Sequence, residues 1–270
     1  MDHFFFFGSC FLIGVTSGFL GGLLGIGGGV VIVPALLVLF DLAGLFDAGT
    51  ATPVAVGTSL GCIIFTSLAA AITQLRAGMV EWRVVRQWSG FLLLGSFAAG
   101  FVAPLLPPAV FRGLIGGFLG FVAFVMLTNW KPNPHRVMPG RVIGAGLGSV
   151  GGFVSGLAGI GGGNVVVPTL VYFNVPMHRA TATASTLGVP IAVAGATGYV
   201  LAGIEHAAGQ LTWMLGYLYL PALTLIVAAT VFAAPLGVRA AHRLSPMPLR
   251  RAFGALLVVV SLRMLWSAVS

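Results

Sequence analysis

The sequence predicts an all-α polytopic membrane protein of two inverted repeats, each a glycine-broken helical hairpin followed by three transmembrane helices. Three observations lead there. Only 7% of the 270 residues are charged and 58% are hydrophobic, at a mean hydropathy of +1.07, whereas a soluble domain carries about 25% charged residues. Residues 18–36 recur 134 positions later as residues 152–170, with Gly-Ile-Gly-Gly-Gly at 25–29 and 159–163, each followed by Pro34 or Pro168. Such a recurrence marks a duplicated unit and decides the architecture. Finally, the basic residues gather in a few short loops between apolar spans, the charge pattern of membrane topology.

The elements follow in order. From Phe4 to Phe40 no residue is charged, a run of 37 positions, or roughly 55 Å of helix against a hydrocarbon core of about 30 Å. That is too long for one span, and the glycine run sits where a break belongs. A second charge-free run, 142–177, carries the same break. Ordinary spans are expected at 52–75, 87–106 and 110–127 in the first half, and at 180–201, 211–236 and 251–269 in the second. Pro221 falls inside one of these, a candidate kink. Trp82, Trp88, Trp130 and Trp266 lie near span ends, where amphipathic rings favour the interface. Residues 1–130 therefore read as the first repeat, 131–141 as a cytoplasmic linker and 142–270 as the second repeat. Cys10 and Cys62 read as small packing residues, and the N-terminus lacks the basic region of a cleaved signal.

Loop charges set the topology. Arg76, Arg83 and Arg86 mark one loop as cytoplasmic, Lys131, Arg136 and Arg141 mark the linker, and Arg239, Arg243, Arg250 and Arg251 mark a third. All three agree if each glycine-broken element enters and returns. Each half then has three further spans, an odd number, which inverts the halves relative to each other. Asp41, Asp47 and Glu205 fall outside. Inverted repeats on discontinuous helices characterise secondary transporters, with the cargo near the midplane where the breaks meet.

The duplicated Gly-x-Gly-Gly-Gly-x4-Pro element resembles the sulfite exporter TauE/SafE family. So do Val56-Gly-Thr-Ser-Leu60, its partner Thr183-Ala-Ser-Thr-Leu187, and Arg76-Ala-Gly-Met-Val-Glu-Trp82. The resemblance covers nearly the whole chain. It implies a permease of the bacterial inner membrane that moves a small anionic sulfur compound, such as sulfite, thiosulfate or a sulfonate. One departure is a longer first-half connection: 24 positions separate Pro34 from Thr58, and 17 separate Pro168 from Ser185.

The residues themselves suit an anion. A helix restarting at Gly27, Gly28 and Gly29, or at Gly161, Gly162 and Gly163, aims free N–H groups and a positive dipole end into the interior. Thr58, Ser59, Asn164, Ser185 and Thr186 add neutral hydrogen-bonding groups for the cargo. Asn164 stands out, because its counterpart is Val30. Tight helix packing is the competing use of such glycines, and bonding to the i−4 carbonyl the competing use of the hydroxyls. Arg76, at the cytoplasmic end of a span, is a candidate anion entrance as well as a topology signal. Arg263 lies inside an apolar run, where snorkelling outward is its ordinary role.

Other classes fall away. The Gly-x-Gly pattern lacks a following Lys-Ser/Thr and a soluble βαβ setting, so it is not a phosphate loop. The net charge of +8 belongs to the cytoplasmic loops, and no nucleic acid is expected. No Asp, Glu or His falls within an expected span, which disfavours an intramembrane enzyme, a metal, a cofactor or a proton relay. The expectation is export without ATP of a small sulfur oxyanion or organosulfonate. The alternative is an anion channel or pore on the same two breaks. Lipid and the anion are the partners, and a homo-oligomer is compatible with the sequence.

Overall fold

A computed structural model describes residues 3–24, 27–128, 140–206, 213–241 and 246–269. The first half holds helices α1 (His3–Leu24), α2 (Gly29–Ala43), α3 (Ala48–Arg76), α4 (Trp82–Val102) and α5 (Pro108–Leu127). The second holds α6 (Arg141–Ala158), α7 (Gly163–Tyr172), α8 (Met177–His206), α9 (Leu220–Ala241) and α10 (Pro246–Val269). A two-stranded antiparallel hairpin, β1 (Met214–Leu215) and β2 (Leu218–Tyr219), precedes α9. Helices α1, α3, α4, α5, α8 and α9 are long and apolar enough to cross a bilayer. The protein is an all-α polytopic membrane protein. By contrast α2 has 15 residues and α7 has 10, or about 22 and 15 Å, too short for a core of about 30 Å.

Helix pairing is unchanged when the two halves are exchanged. The partner of α1 is α9 and that of α6 is α4; α3 packs on α8, and α5 on α10. The equivalent helices α3 and α8 run antiparallel, with Gly57 beside Tyr199 and Gly188 beside Ser67. So do α5 and α10, where Gly116 meets Leu265 and Gly120 meets Ser261.

Small residues let these pairs approach closely. Gly18 and Gly22 of α1 abut the backbone at Thr230 and Ala234 of α9. Their counterparts Gly152 and Gly156 of α6 abut Leu92 and Ser96 of α4. Lipid supplies no hydrophobic drive between helices, so close van der Waals contact takes its place. These four glycines are packing devices, as distinct from those at the breaks.

Three expectations change. The span expected from Leu211 begins at Leu220, because Trp213 and Gly216 adopt left-handed φ of 81° and 56° and turn the chain into the hairpin. Leu211 itself lies outside the described residues. Pro221 then occupies the first turn of α9, where its missing N–H costs nothing; the proline inside that helix is Pro235. Trp88 is 2% exposed, its indole nitrogen against Gly144, so it is a core ring. Trp82 and Trp266 are exposed. Trp130 and most of the 131–141 linker lie outside the described residues.

Candidate functional site at the two helix breaks

Both breaks form where the glycines predict, but differently. Gly27 and Gly28 are left-handed, with φ of 75° and 78°, and Gly28 caps α2. In the second half the left-handed residue is Gly159, at φ 64°, which caps the end of α6; Gly162 sits at φ −50° before α7. An L residue is costly in this region, and glycine is not.

The breaks touch each other. A methyl group on Gly27 would lie 3.3 Å from the Gly161 Cα, and one on Gly29 would collide with the Gly159 carbonyl. Gly159 lies against Val56, Gly27 against Ile63 and Ser67, and Gly162 against Ile191. These contacts fall near the midpoints of α3 and α8, so the breaks meet halfway along the two long central helices. Gly27, Gly28, Gly29, Gly161, Gly162 and Gly163 are all buried.

At this junction the first N–H groups of α2 (Gly29, Val30) and of α7 (Gly163, Asn164) make no backbone hydrogen bond among the described residues. Each helix start carries roughly half a positive charge. The polar side chains divide into two kinds. Ser59 donates to the Gly159 carbonyl at 2.8 Å, Ser185 to Thr181 at 3.0 Å and Thr186 to Ala182 at 3.1 Å, so their protons are spent. Thr58 accepts the Tyr219 N–H at 3.0 Å. Asn164 is different: it is 3% exposed, and neither atom of its amide has a partner.

The structure adds residues that the sequence reading passed over. Ser67, 1% exposed, holds an unpartnered hydroxyl between Gly27 and Gly188. Ser155, near the end of α6, is likewise buried and unpartnered. Two turns on from Ser67 along α3, the Gln74 carbonyl oxygen is buried and unpartnered, and Arg76 ends the same helix exposed. The spacing of Ser67 and Gln74, i to i+7, places them on one helix face, a signal the sequence did carry. A buried polar group left unpaired costs about 1–3 kcal/mol. Ser67 at Gly27 and Asn164 in the first turn of α7 add such groups to two free helix starts inside an apolar protein.

Contacts gather beyond the junction toward both ends of α3. Toward the start of α3, the Tyr219 ring takes edge contacts from Phe6, Phe40 and Phe46 at 6.1, 6.0 and 5.6 Å. Burial pushes the Tyr217 and Tyr219 phenols above their ordinary range, which keeps them neutral. Toward the end of α3, the Glu81 N–H donates to the Thr183 hydroxyl at 3.0 Å, and Arg179 pairs with Glu81. At each end the residue before α4 or α9 is thus tied to a threonine of α8 or α3. Among the described residues no cluster of His, Cys, Asp or Glu gathers that would hold a metal ion.

Each half-helix also flanks a groove. The α2 groove, about 300 Å³, is lined by positions 30, 31, 34, 35 and 38. The α7 groove, about 450 Å³, is lined by the equivalent positions 164, 165, 168, 169 and 172.

Comparison with known proteins agrees with this architecture. Residues 10–264 match the profile of the family described as sulfite exporter TauE/SafE. A "Probable membrane transporter protein" of Haemophilus influenzae is 29% identical over 256 residues, covering 94% of this chain and 96% of its own. One of Methanocaldococcus jannaschii is 28% identical over 260 residues, covering 94% and 93%. The "Probable membrane transporter protein YunE" of Bacillus subtilis is 28% identical over 217 residues, covering 71% and 77%. No solved structure matches the chain.

Proposed function

Given that the chain belongs to the sulfite exporter TauE/SafE family, we propose that this membrane transporter carries a small sulfur-containing oxyanion or organosulfonate outward across the bacterial inner membrane without ATP. The observation that carries the reading is the contact of the two breaks, with the Ser67 hydroxyl unpartnered against Gly27 and the Asn164 amide unpartnered in the first turn of α7. Two helix starts offer an anion roughly one positive charge in all, with N–H donors and no fixed cation. An anion so held can leave again, which transport requires.

Arg76, Gln74 and Ser67 follow one another along α3 and suit a route from the cytoplasmic end to the junction. Ser59 ties the second break to α3 and Thr58 ties the hairpin before α9 to the same helix, while Asn164, Ser67 and the glycine N–H groups hold the cargo. The antiparallel α3–α8 and α5–α10 pairs support an inverted relation of the halves, and with it exposure of one junction to either face in turn. An inside-negative potential of about 100 mV drives a monovalent anion outward, releasing roughly 2.3 kcal/mol.

The test uses purified protein. Sulfite, sulfate, thiosulfate, sulfoacetate, taurine and chloride are screened by thermal shift, and those that bind are followed as flux in proteoliposomes. One sulfur anion should raise the melting temperature by mass action and move saturably, faster when its exit is favoured by the potential. No shift with any of these anions, or flux that requires a pH gradient at zero potential, overturns the reading. Ohmic conductance in place of saturable flux makes the junction a pore.

A further inference from the structure

The two equivalent grooves differ in charge. The α7 groove has no Lys or Arg in its lining. The α2 groove is apolar along its length, yet Arg112, Arg263, Asp41 and Ser267 border it. Gly113 of α5 faces Ala268 of α10, which sets Arg112 beside the last turn of α10. Arg263 lies five residues before Ala268, roughly 7 Å deeper, within reach of that end for a snorkelling side chain.

Neither arginine has an ion-pair partner among the described residues. Arg112 donates its Nε to the Thr52 hydroxyl at 3.4 Å, and its terminal nitrogens make no further bond among the described residues. Arg263 is exposed and makes none. The ion pair among the described residues is Arg179–Glu81, so Asp41 pairs with neither arginine and offsets at most one. Loop charges assign this end of the protein to the outside, where Lys and Arg are disfavoured. Charged groups inside spans are retained only with a partner or a use. From Val30 to Asp41 the groove runs about 16 Å, half of a core of about 30 Å, the depth of one leaflet.

We propose that the α2 groove is a binding site for an anionic phospholipid, with its phosphate held by Arg112 and Arg263 and an acyl chain laid along α2. Two arginines against a single anionic phosphate supply the charge complementarity, and the apolar lining takes the chain. The α7 groove, having no cation, makes no such selection.

The experiment measures lipid-dependent thermal stabilisation and lipid retention by native mass spectrometry on the full-length protein in detergent. Phosphatidylglycerol, phosphatidylcholine of the same chains and inorganic phosphate are compared. Phosphatidylglycerol should bind more tightly than phosphatidylcholine, and phosphate alone should not substitute. Arg112→Gln with Arg263→Gln should lower apparent affinity about fivefold per arginine, from about 1 kcal/mol per basic residue, while the Lys pair retains most of it. Arg263→Gln alone carries the same test if the double variant fails to fold, because that side chain makes no hydrogen bond or ion pair among the described residues. Equal binding of the two lipids, selectivity that survives the Gln substitutions, or a phosphate effect that equals the lipid's overturns the proposal.

Discussion

The Ser59 hydroxyl donates to the Gly159 carbonyl at 2.8 Å across 100 residues of sequence. It joins α3 of the first half to the break of the second, at the point where left-handed Gly159 turns its carbonyl away from the end of α6. Ser59→Ala should leave that carbonyl buried and unpaired, costing about 1–3 kcal/mol, or several degrees of melting temperature. Ser185→Ala removes a bond to a carbonyl of its own helix, which keeps its backbone partner, and should cost less than Ser59→Ala. Thermal denaturation of the two variants in one detergent makes the comparison.

Asn164→Leu should separate binding from folding. The unpaired amide costs stability in this conformation, so an apolar side chain of similar size should leave the melting temperature unchanged or higher. The anion-dependent rise in melting temperature should fall at least severalfold. A variant that is both destabilised and equally responsive to anions would make Asn164 a structural residue.

Gly28 and Gly162 occupy equivalent sequence positions but should respond unequally to alanine. At Gly28 the backbone is left-handed at φ 78° and a Cβ would lie 2.6 Å from the Ser17 carbonyl, so Gly28→Ala should cost about 2 kcal/mol or more. At Gly162 the φ of −50° is ordinary and the added carbon meets the tip of the Ile191 side chain. Gly162→Ala should cost about 1 kcal/mol while still crowding the start of α7. Loss of anion response in a folded Gly162→Ala protein, measured by thermal shift, would locate the cargo at the break.

The Glu81–Arg179 pair bridges the α3–α4 connection and the start of α8, with the Arg179 side chain half exposed at 51%. Exposed pairs contribute about 0–1 kcal/mol and weaken with salt. Arg179→Gln should therefore leave the melting temperature nearly unchanged. If the pair latches one face of the junction, the same variant should alter transport rate in proteoliposomes, and Glu81→Arg with Arg179→Glu should restore it. Unchanged flux in both would make the pair a surface contact.

Much of this was legible in the chain. Composition alone marks a membrane protein, and the repetition of Gly-Ile-Gly-Gly-Gly with Pro34 and Pro168 locates both breaks within a residue or two of where α2 and α7 begin. That legibility is local in origin, since a charge-free run longer than the bilayer must break and glycine is where it breaks. The span mispredicted from Leu211 shows the converse, because apolar content could not reveal the left-handed turn at Trp213.

What only the tertiary structure decided is which polar groups are already occupied. Ser59, Ser185 and Thr186 look alike in sequence beside Ser67 and Asn164, yet the first three spend their protons on carbonyls and the last two are left unpartnered. Hydrogen-bond satisfaction depends on what the fold brings within about 3 Å. Arg112 and Arg263, distant in sequence, border one groove for the same reason. The sequence by itself determined the membrane class, the duplication and the position of the breaks, because these follow from hydropathy and backbone preference along the chain. The meeting of the two breaks halfway along α3 and α8 required the packing of helices from opposite halves, which no single stretch of residues encodes.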